Sequence, residues 1–388
     1  MNKKNLMLMV PLLDQGGLER ICALTARLLN DRCNLCLVVF STRNMLYDVS
    51  GVELLDLHLG SRPGKFGKII NVFRRVRAVK KIKREREIQV TYSFGPTANL
   101  VNVLSRVKDK IWVGIRGYGA LADKGSMKLF YRRADKVICC SKVMADDIEK
   151  QFKGGKSVCL YNPCDITQIE RLCREPIAEQ FTPFFEKGKQ IIVSMSREDD
   201  VKGFWHLIKA FSLIHKELPD TRLMIIGEGT FKEYKKLAAD LGIEAEVLFT
   251  GVQSNPFNLL KEASLYILTS NTEGFPNALV EAMATGVPAL SVNCKTGPAE
   301  ILVEEYHKAE NQQEVYEGEY GMLLPVLKPE KNLQVDEVED EETVIAQIAV
   351  KVLTNQEKQK EMSQKAKKRS EMFSLERYTE QIMQWIEE

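Results

Sequence analysis

The chain has 388 residues, 44% of them hydrophobic and 28% charged, which describes a soluble globular protein too long for one ordinary core and about right for two domains. No run of eighteen apolar residues occurs, which excludes a membrane-spanning helix, and nine scattered cysteines give no disulfide framework. The net charge of +2 hides a division: residues 1–170 carry 30 Lys and Arg against 16 Asp and Glu, or +14, and the remainder 25 against 37, or −12. Such a split points the first half at an anionic partner, nucleic acid or an acidic membrane surface.

The opening MNKKNLMLMVPLL has a basic start and a short apolar run. It reads as a buried first strand and not as a signal peptide, because the run covers only Leu6–Leu13, contains Pro11 and is followed at once by the polar loop DQGGLER. The chain is therefore expected in the cytoplasm. Gly16 and Gly17 allow close approach of backbone to a ligand and open a helix with apolar residues at 18, 21, 24 and 28. Strand patterns follow at CLVVF and VELLDL; the C-x-x-C of Cys33 and Cys36 runs into the first of these and reads as packing, as does Cys139–Cys140. Arg62–Arg86 reads as a basic amphipathic helix. Ile69, Ile70, Val72, Phe73, Val76, Val79 and Ile82 are expected against the sheet, and the Lys and Arg residues on the other faces are expected to meet anionic headgroups. Strands at IQVTYS, KIWVGI and KVICCS alternate with helices at PTANLVNVLSRV, MKLFYRRA and KVMADDIEKQF. Nucleic acid is not the expected partner, since no aromatic interleaving or zinc motif accompanies the basic residues.

A linker is placed at 171–188, and a second βα alternation begins at QIIVSMSREDDVKGFW. Arg197 and Lys202 lie in the loop after its strand, where two cations can neutralise a diphosphate, and Asp199–Asp200 beside them reads as solvated. RLMIIGEGT carries a G-x-G without the third glycine of a dinucleotide fingerprint. VLFTGVQ sets Gly251 and Val252 at a strand end, where backbone groups can pair with a nucleobase edge. Then SLYILTSNTEGFPNALVEAMATGVPALSV reads as strand, polar loop, helix, strand. Asn277 is expected to cap the helix, leaving the N–H groups of Asn277, Ala278 and Leu279 for an anionic group such as phosphate. Glu273 and Glu281 flank that place, and carboxylates there are best used accepting hydrogen bonds from neutral hydroxyls on either side of the phosphate. A diphosphate between two sets of hydroxyls is a nucleotide sugar. Beyond it come a mostly polar stretch containing GMLLPV, a helix TVIAQIAVKVL, and a terminal pair of helices broken near Phe373–Ser374.

The E-x7-E of Glu273 and Glu281 inside EGFPNALVEAMATGVP, followed by GPAEIL, resembles the donor-site signature of the retaining transferases of glycosyltransferase family 4. GGLER, YNPCD and the Arg197…Lys202–Gly203 element resemble the family's other landmarks. The resemblance implies an α/β fold of the GT-B type, two Rossmann-like doubly wound domains facing across a cleft, with a C-terminal helix returning to the N-terminal domain. It assigns residues 1–170 to an acceptor and membrane-facing domain, 189–365 to the nucleotide-sugar domain and 366–388 to the returning helix. It further implies that Glu273 faces the donor sugar, Glu281 the ribose diol, and the backbone between them, with Gly274 and Phe275, the diphosphate. One departure stands out: the loop IRGYG has Arg116 where many members carry a His touching the donor sugar.

The function so implied is retaining transfer of a sugar from a nucleoside diphosphate, by family habit UDP, to an acceptor hydroxyl. Glu273, Arg197 and Lys202 are the catalytic residues, and neither a metal nor another cofactor is needed. Resemblance to builders of bacterial surface polysaccharides implies a lipid-linked sugar acceptor and a peripheral position on the inner face of the cell membrane. Alternatives are an epimerase or phosphorylase on the same fold, or a silent partner subunit of another transferase.

Overall fold

The structure, a computed structural model, describes residues 3–61, 63–310 and 312–388. It divides into two compact units, one formed by the chain up to Pro163 with Leu375–Glu388, the other by Cys164–Ser374.

In the first unit the apolar runs become β1 (Asn5–Val10), β2 (Asn34–Val39), β3 (Glu53–Asp56), β4 (Val90–Phe94), β5 (Lys110–Ile115), β6 (Lys136–Cys139) and β7 (Ser157–Cys159). Between them lie α1 (Gly17–Asn30), α2 (Lys65–Glu85), α3 (Pro96–Leu104), α4 (Lys124–Arg133) and α5 (Lys142–Phe152). The sheet is parallel throughout, in the order β3-β2-β1-β4-β5-β6-β7. Helices on the crossovers cover both faces, so most of its strands read as unbroken apolar runs and not as an alternation. The order reverses between β1 and β4, and in open sheets ligands bind outside the carboxyl ends of the strands at such a reversal. Gly16 follows β1 and Gly95 follows β4.

The second unit starts with α6 (Ile166–Leu172) and continues through β8 (Gln190–Met195), α7 (Phe204–Glu217), β9 (Thr221–Ile226), α8 (Lys232–Asp240) and β10 (Val247–Gly251). Then come α9 (Phe257–Leu260), β11 (Leu265–Leu268), α10 (Asn277–Ala284), β12 (Ala289–Val292), α11 (Pro298–Leu302), β13 (Tyr316–Glu317), β14 (Met322–Leu324), α12 (Asp340–Leu353) and α13 (Gln356–Ser370). The order β10-β9-β8-β11-β12-β14-β13 repeats the first unit's plan with its reversal between β8 and β11, and only the short β13 runs antiparallel.

The last helix, α14 (Leu375–Glu387), belongs to the first unit. Its Tyr378, Ile382, Trp385 and Ile386 join the core formed by β1, β2 and α1. Trp385 meets Trp112 edge to face at 6.4 Å, and Tyr378 shares a 2.7 Å hydrogen bond with Thr25. Burial of such side chains stabilises by roughly 1.5–3 kcal/mol each, enough to hold a thirteen-residue helix. α13, by contrast, lies in the second unit, so of the expected returning segment 366–388 only α14 belongs to the first.

α2 corrects the sequence reading. Its buried positions are Asn71, Arg75, Val79 and Lys83, a row at i, i+4 spacing, while Ile69, Ile70 and Phe73 of the expected stripe are exposed. Polar side chains on that row reach partners. Asn71 donates to the Gly60 carbonyl, Arg75 to the Leu59 carbonyl while stacking on Phe40, and Lys83 pairs with the fully buried Asp109 at 2.8 Å. Two of the cations expected to face a membrane, Arg75 and Lys83, therefore fasten the helix to its own sheet. Arg62, the first residue of the basic segment, lies outside the described residues.

Candidate functional site

In the second unit the loops after β8, β11 and β12 are sewn together at the sheet reversal. Gly203 ends the β8 loop with φ +60°, and a Cβ there would lie 2.5 Å from the Thr269 carbonyl. Only glycine permits both that dihedral and that approach. Thr269 Oγ1 donates to the Lys202 carbonyl at 2.9 Å, and the Asn271 N–H to the Val201 carbonyl at 2.8 Å. On the other side, Thr296 donates through its N–H to the Glu273 carbonyl and through Oγ1 to the Gly274 carbonyl, at 3.1 and 2.9 Å.

This stitching sets the Lys202 ammonium 2.7 Å from Glu273 Oε1, with both side chains largely buried. Glu281 is 7% exposed on α10, and Phe275 is buried against Phe373. Tyr266 on β11 is fully buried. Burial first, then the carboxylates of Glu273 and Glu281, push its ionisation far above the ordinary tyrosine range. Neither Tyr266 nor Thr296 belongs to a motif legible in the sequence. A tyrosine within the strand run LYIL and a threonine before GPAEIL were the only signals available.

Arg197 is 65% exposed and touches Asp199 at 3.2 Å. The acidic pair is not merely solvated. Asp199 caps the following turn by accepting from the Val201 N–H, and Asp200 accepts from Tyr234 and pairs with Lys331 at 2.9 Å. The G-x-G of Gly227 and Gly229 is structural: a Cβ on Gly227, at φ +152°, would collide with the Ser196 carbonyl at 1.9 Å, so the β9 loop lies directly on the β8 loop. Gly251 ends β10, its carbonyl accepts from the Gly227 N–H at 3.1 Å, and Val252 beside it is exposed.

The helix start differs from expectation. Asn277 is the first residue of α10 and Pro276 occupies the cap, with no side-chain capping bond. The Leu279 N–H is taken by the Pro276 carbonyl at 3.0 Å, so the donor for an anionic group at this terminus is not Leu279. The Ala278 N–H has no carbonyl within its own helix to bond, because the residue four before it is outside α10.

In the first unit, Gly16 precedes α1, with its N–H and carbonyl both held by the Tyr47 hydroxyl, at 3.3 and 2.9 Å. Gly17 is the first residue of α1. Arg116, just after β5, donates from Nη1 to Asn162 at 2.7 Å and from Nη2 to the Tyr92 hydroxyl, and lies over the Phe94 ring. Its Nε is buried without a hydrogen-bond partner.

Among the described residues one group has the spacing of a metal site, His206, Glu339 and Glu342. His206 Nδ1 is 2.7 Å from Glu342, and Nε2 is 2.9 Å from the Lys328 carbonyl. The Lys328 carbonyl can only accept, so Nε2 carries a proton toward it, and Nδ1 is turned to the Glu342 carboxylate. The group reads as a fastening of α7 to the capping box of α12.

Residues 177–317 match the family model described as glycosyl transferases group 1. An uncharacterized glycosyltransferase of Methanocaldococcus jannaschii is 30% identical over 264 residues, covering 66% of this chain and 64% of that protein. The N-acetylgalactosamine-N,N'-diacetylbacillosaminyl-diphospho-undecaprenol 4-alpha-N-acetylgalactosaminyltransferase of Campylobacter jejuni is 24% identical over 333 residues, covering 80% of this chain and 88% of that protein. The chain thus spans just under two thirds of the first relative's length and most of the second's. Among solved structures, HepE of Anabaena in complex with UDP superposes with a TM-score of 0.75 at 20% identity, over 99% of both chains. The chain is a GT-B protein whose residues 177–317 match glycosyl transferases group 1.

Proposed function

We propose that the chain is a retaining glycosyltransferase of family 4 that moves a sugar from a nucleoside diphosphate, UDP by preference, to a hydroxyl of a lipid-linked acceptor in bacterial polysaccharide synthesis. Residues 189–365 are the donor domain and 1–170 the acceptor and membrane-facing domain, at the inner face of the cell membrane. The observation that carries the reading is the Lys202–Glu273 pair, held by stitched loops at the sheet reversal with Glu281 on the adjoining helix.

The Lys202 ammonium has three donors, and Glu273 occupies one. The others are left for phosphate oxygens, whose charge grows as the glycosidic bond breaks. Among the described residues Arg197 is held by an exposed contact with Asp199, of a kind worth about 0–1 kcal/mol, so it can turn to the same phosphates. Preorganised charge aimed at a leaving group is worth most where its surroundings are already fixed. Glu273 accepts from the transferred sugar, Glu281 from the ribose diol, and the Gly251–Val252 backbone from the base edge. Cations at the diphosphate take the place of a metal. Arg116, held by Tyr92 and Asn162, takes the sugar contact that many family members give to a His in this loop. Support also comes from HepE, a structural neighbour in complex with UDP-glucose, and from the Campylobacter jejuni relative, whose name describes a diphospho-undecaprenol acceptor.

Calorimetry tests the assignment. Glu281→Ala should weaken binding of free nucleoside diphosphate, and Glu273→Ala should leave that binding nearly unchanged while impairing transfer. Equal losses from both changes would refute the division of roles, and activity abolished by EDTA and restored by magnesium or manganese would refute the metal-free leaving-group step.

A further inference from the structure

The outward face of α2 is two-toned. Phe66 is 84% exposed, Ile69 54%, Ile70 51% and Phe73 71%. By helical period Arg77, Lys81 and Arg84 continue the same face, and all three are exposed. The first two turns of this face are thus apolar and the rest is cationic. Lys65, Lys68 and Arg74, also exposed, flank the apolar part. The opposite row is fixed by Asn71, Arg75 and Lys83, so the helix cannot roll to hide its phenylalanines.

The position of this face matters as much as its composition. Asn71 and Arg75 bind the Gly60 and Leu59 carbonyls, just beyond the carboxyl end of β3, and the Leu59 N–H is in turn bonded to the Phe40 carbonyl beyond β2. The apolar turns of α2 therefore stand on the same rim of the first unit's sheet from which the Gly16 loop and Arg116 emerge. Ligands of such sheets approach that rim.

We propose that residues 66–73 of α2 insert into an anionic lipid surface, Phe66, Ile69, Ile70 and Phe73 entering the boundary between headgroups and acyl chains. Lys65, Lys68, Arg74, Arg77, Lys81 and Arg84 lie on the phosphates. This extends the membrane-facing part of the function proposed above from charge attraction alone to a seated helix. Clustered aromatic and aliphatic side chains in water mark a contact surface, and their depth of about 5–10 Å in a bilayer matches a helix lying in the interface plane. Charge selects the occupant: a second copy of this chain would bring six cations against six across an isologous contact, whereas anionic lipid complements them. Among the described residues no helix is long and apolar enough to cross a membrane, and a single helix lying in the interface plane binds reversibly.

The test uses the full chain with phosphatidylcholine vesicles, with and without phosphatidylglycerol. The three native tryptophans, Trp112, Trp205 and Trp385, are buried, so an indole introduced by Phe73→Trp reports separately. It should be quenched by lipids brominated near the headgroup, and only when phosphatidylglycerol is present. Changing Phe66, Ile69, Ile70 and Phe73 together to Ser should lower partitioning at least about 100-fold while leaving donor hydrolysis and thermal stability unchanged. Arg77→Glu with Lys81→Glu and Arg84→Glu should remove the salt-sensitive part of binding. An unquenched indole, undiminished partitioning of the serine variant, or a concentration-dependent dimer that the serine changes dissolve would overturn the proposal. Lipid binding through this face in a protein that turns over no nucleotide sugar would leave it standing and overturn the function proposed above.

Discussion

The two units share one strand plan and differ in where their polar groups are invested. In the second unit the bonds among Lys202, Thr269, Asn271, Glu273 and Thr296 are spent on loops at the carboxyl ends of the strands, fixing charged side chains at the sheet reversal. In the first, a buried polar network joins α2, α3 and the sheet. Lys83 meets Asp109 and Asn102, Thr91 donates to Asp109, and Asn99 and Asn102 meet Ser93. One unit has organised its loops around charged side chains, the other its interior for holding a helix whose outer face stays exposed. Identical topology thus fixes where a site can be, and the loop residues decide whether one is built there.

Breaking the first unit's network should have the largest effect. Asp109→Asn leaves the Lys83 ammonium buried without its carboxylate and should cost about 3–5 kcal/mol, seen in denaturant unfolding as an early transition of the first unit alone. A pH series sharpens this. Burial, partly opposed by Asp109, pushes the Lys83 pKa down to about 8 from the ordinary 10.5. Between those values the unfolded chain binds more protons at this group than the folded one, so its contribution to stability rises with pH. Without Asp109 the Lys83 pKa falls further, so the deficit of Asp109→Asn should shrink as pH is raised toward about 8 and level off above it, and a deficit that grows would show that Lys83 is not the group responsible.

In the second unit, Lys202→Gln should lower turnover of the donor by about 100- to 1,000-fold with little loss of stability, the reverse of the signature in the first unit. A merely additive fall in donor affinity with unchanged turnover would assign Lys202 to ground-state binding. The smallest effect is expected from Gly203→Ala, which meets both a left-handed dihedral and the Thr269 carbonyl. It should cost at least about 1–2 kcal/mol in the melting of the second unit, the cost of the dihedral alone, and displace the neighbouring Lys202 ammonium, visible as a weaker affinity for nucleoside diphosphate. A variant as stable as the parent would mean that the loops tolerate separation.

Much of the fold was legible because parallel strands buried on both faces leave long apolar runs, punctuated by glycines at the loops. The Lys202–Glu273 pair of the second unit was open to reading for a related reason: both residues lie in short loops next to such runs. What escaped reading has a common physical cause. The packing row of α2 contains Asn71, Arg75 and Lys83, whose heads are satisfied by Gly60, Leu59 and Asp109, and no hydrophobic pattern within the helix can announce partners outside it. The apolar residues at 69, 70 and 73 carry much of the hydrophobic signal in the helix's first half and so mark the wrong face as buried. The start of α10 failed similarly, since Asn277 has a capping side chain but Pro276, with its fixed φ, takes the cap.

The place of α14 bears on how the protein is made. The core that contains Thr25 and Trp112 is closed by Tyr378 and Trp385, yet all of Cys164–Ser374 is synthesised between them. At roughly 5–20 residues per second this interval lasts about 10–40 s, during which the first unit leaves the ribosome with an uncovered apolar groove. The usual order, in which the N-terminal domain is finished first, is inverted here: the later-born unit has all its own segments in hand before the earlier one can close. A nascent chain stalled before Leu375 should therefore engage chaperones that bind exposed apolar surface through its N-terminal unit, and release them once the last helix emerges.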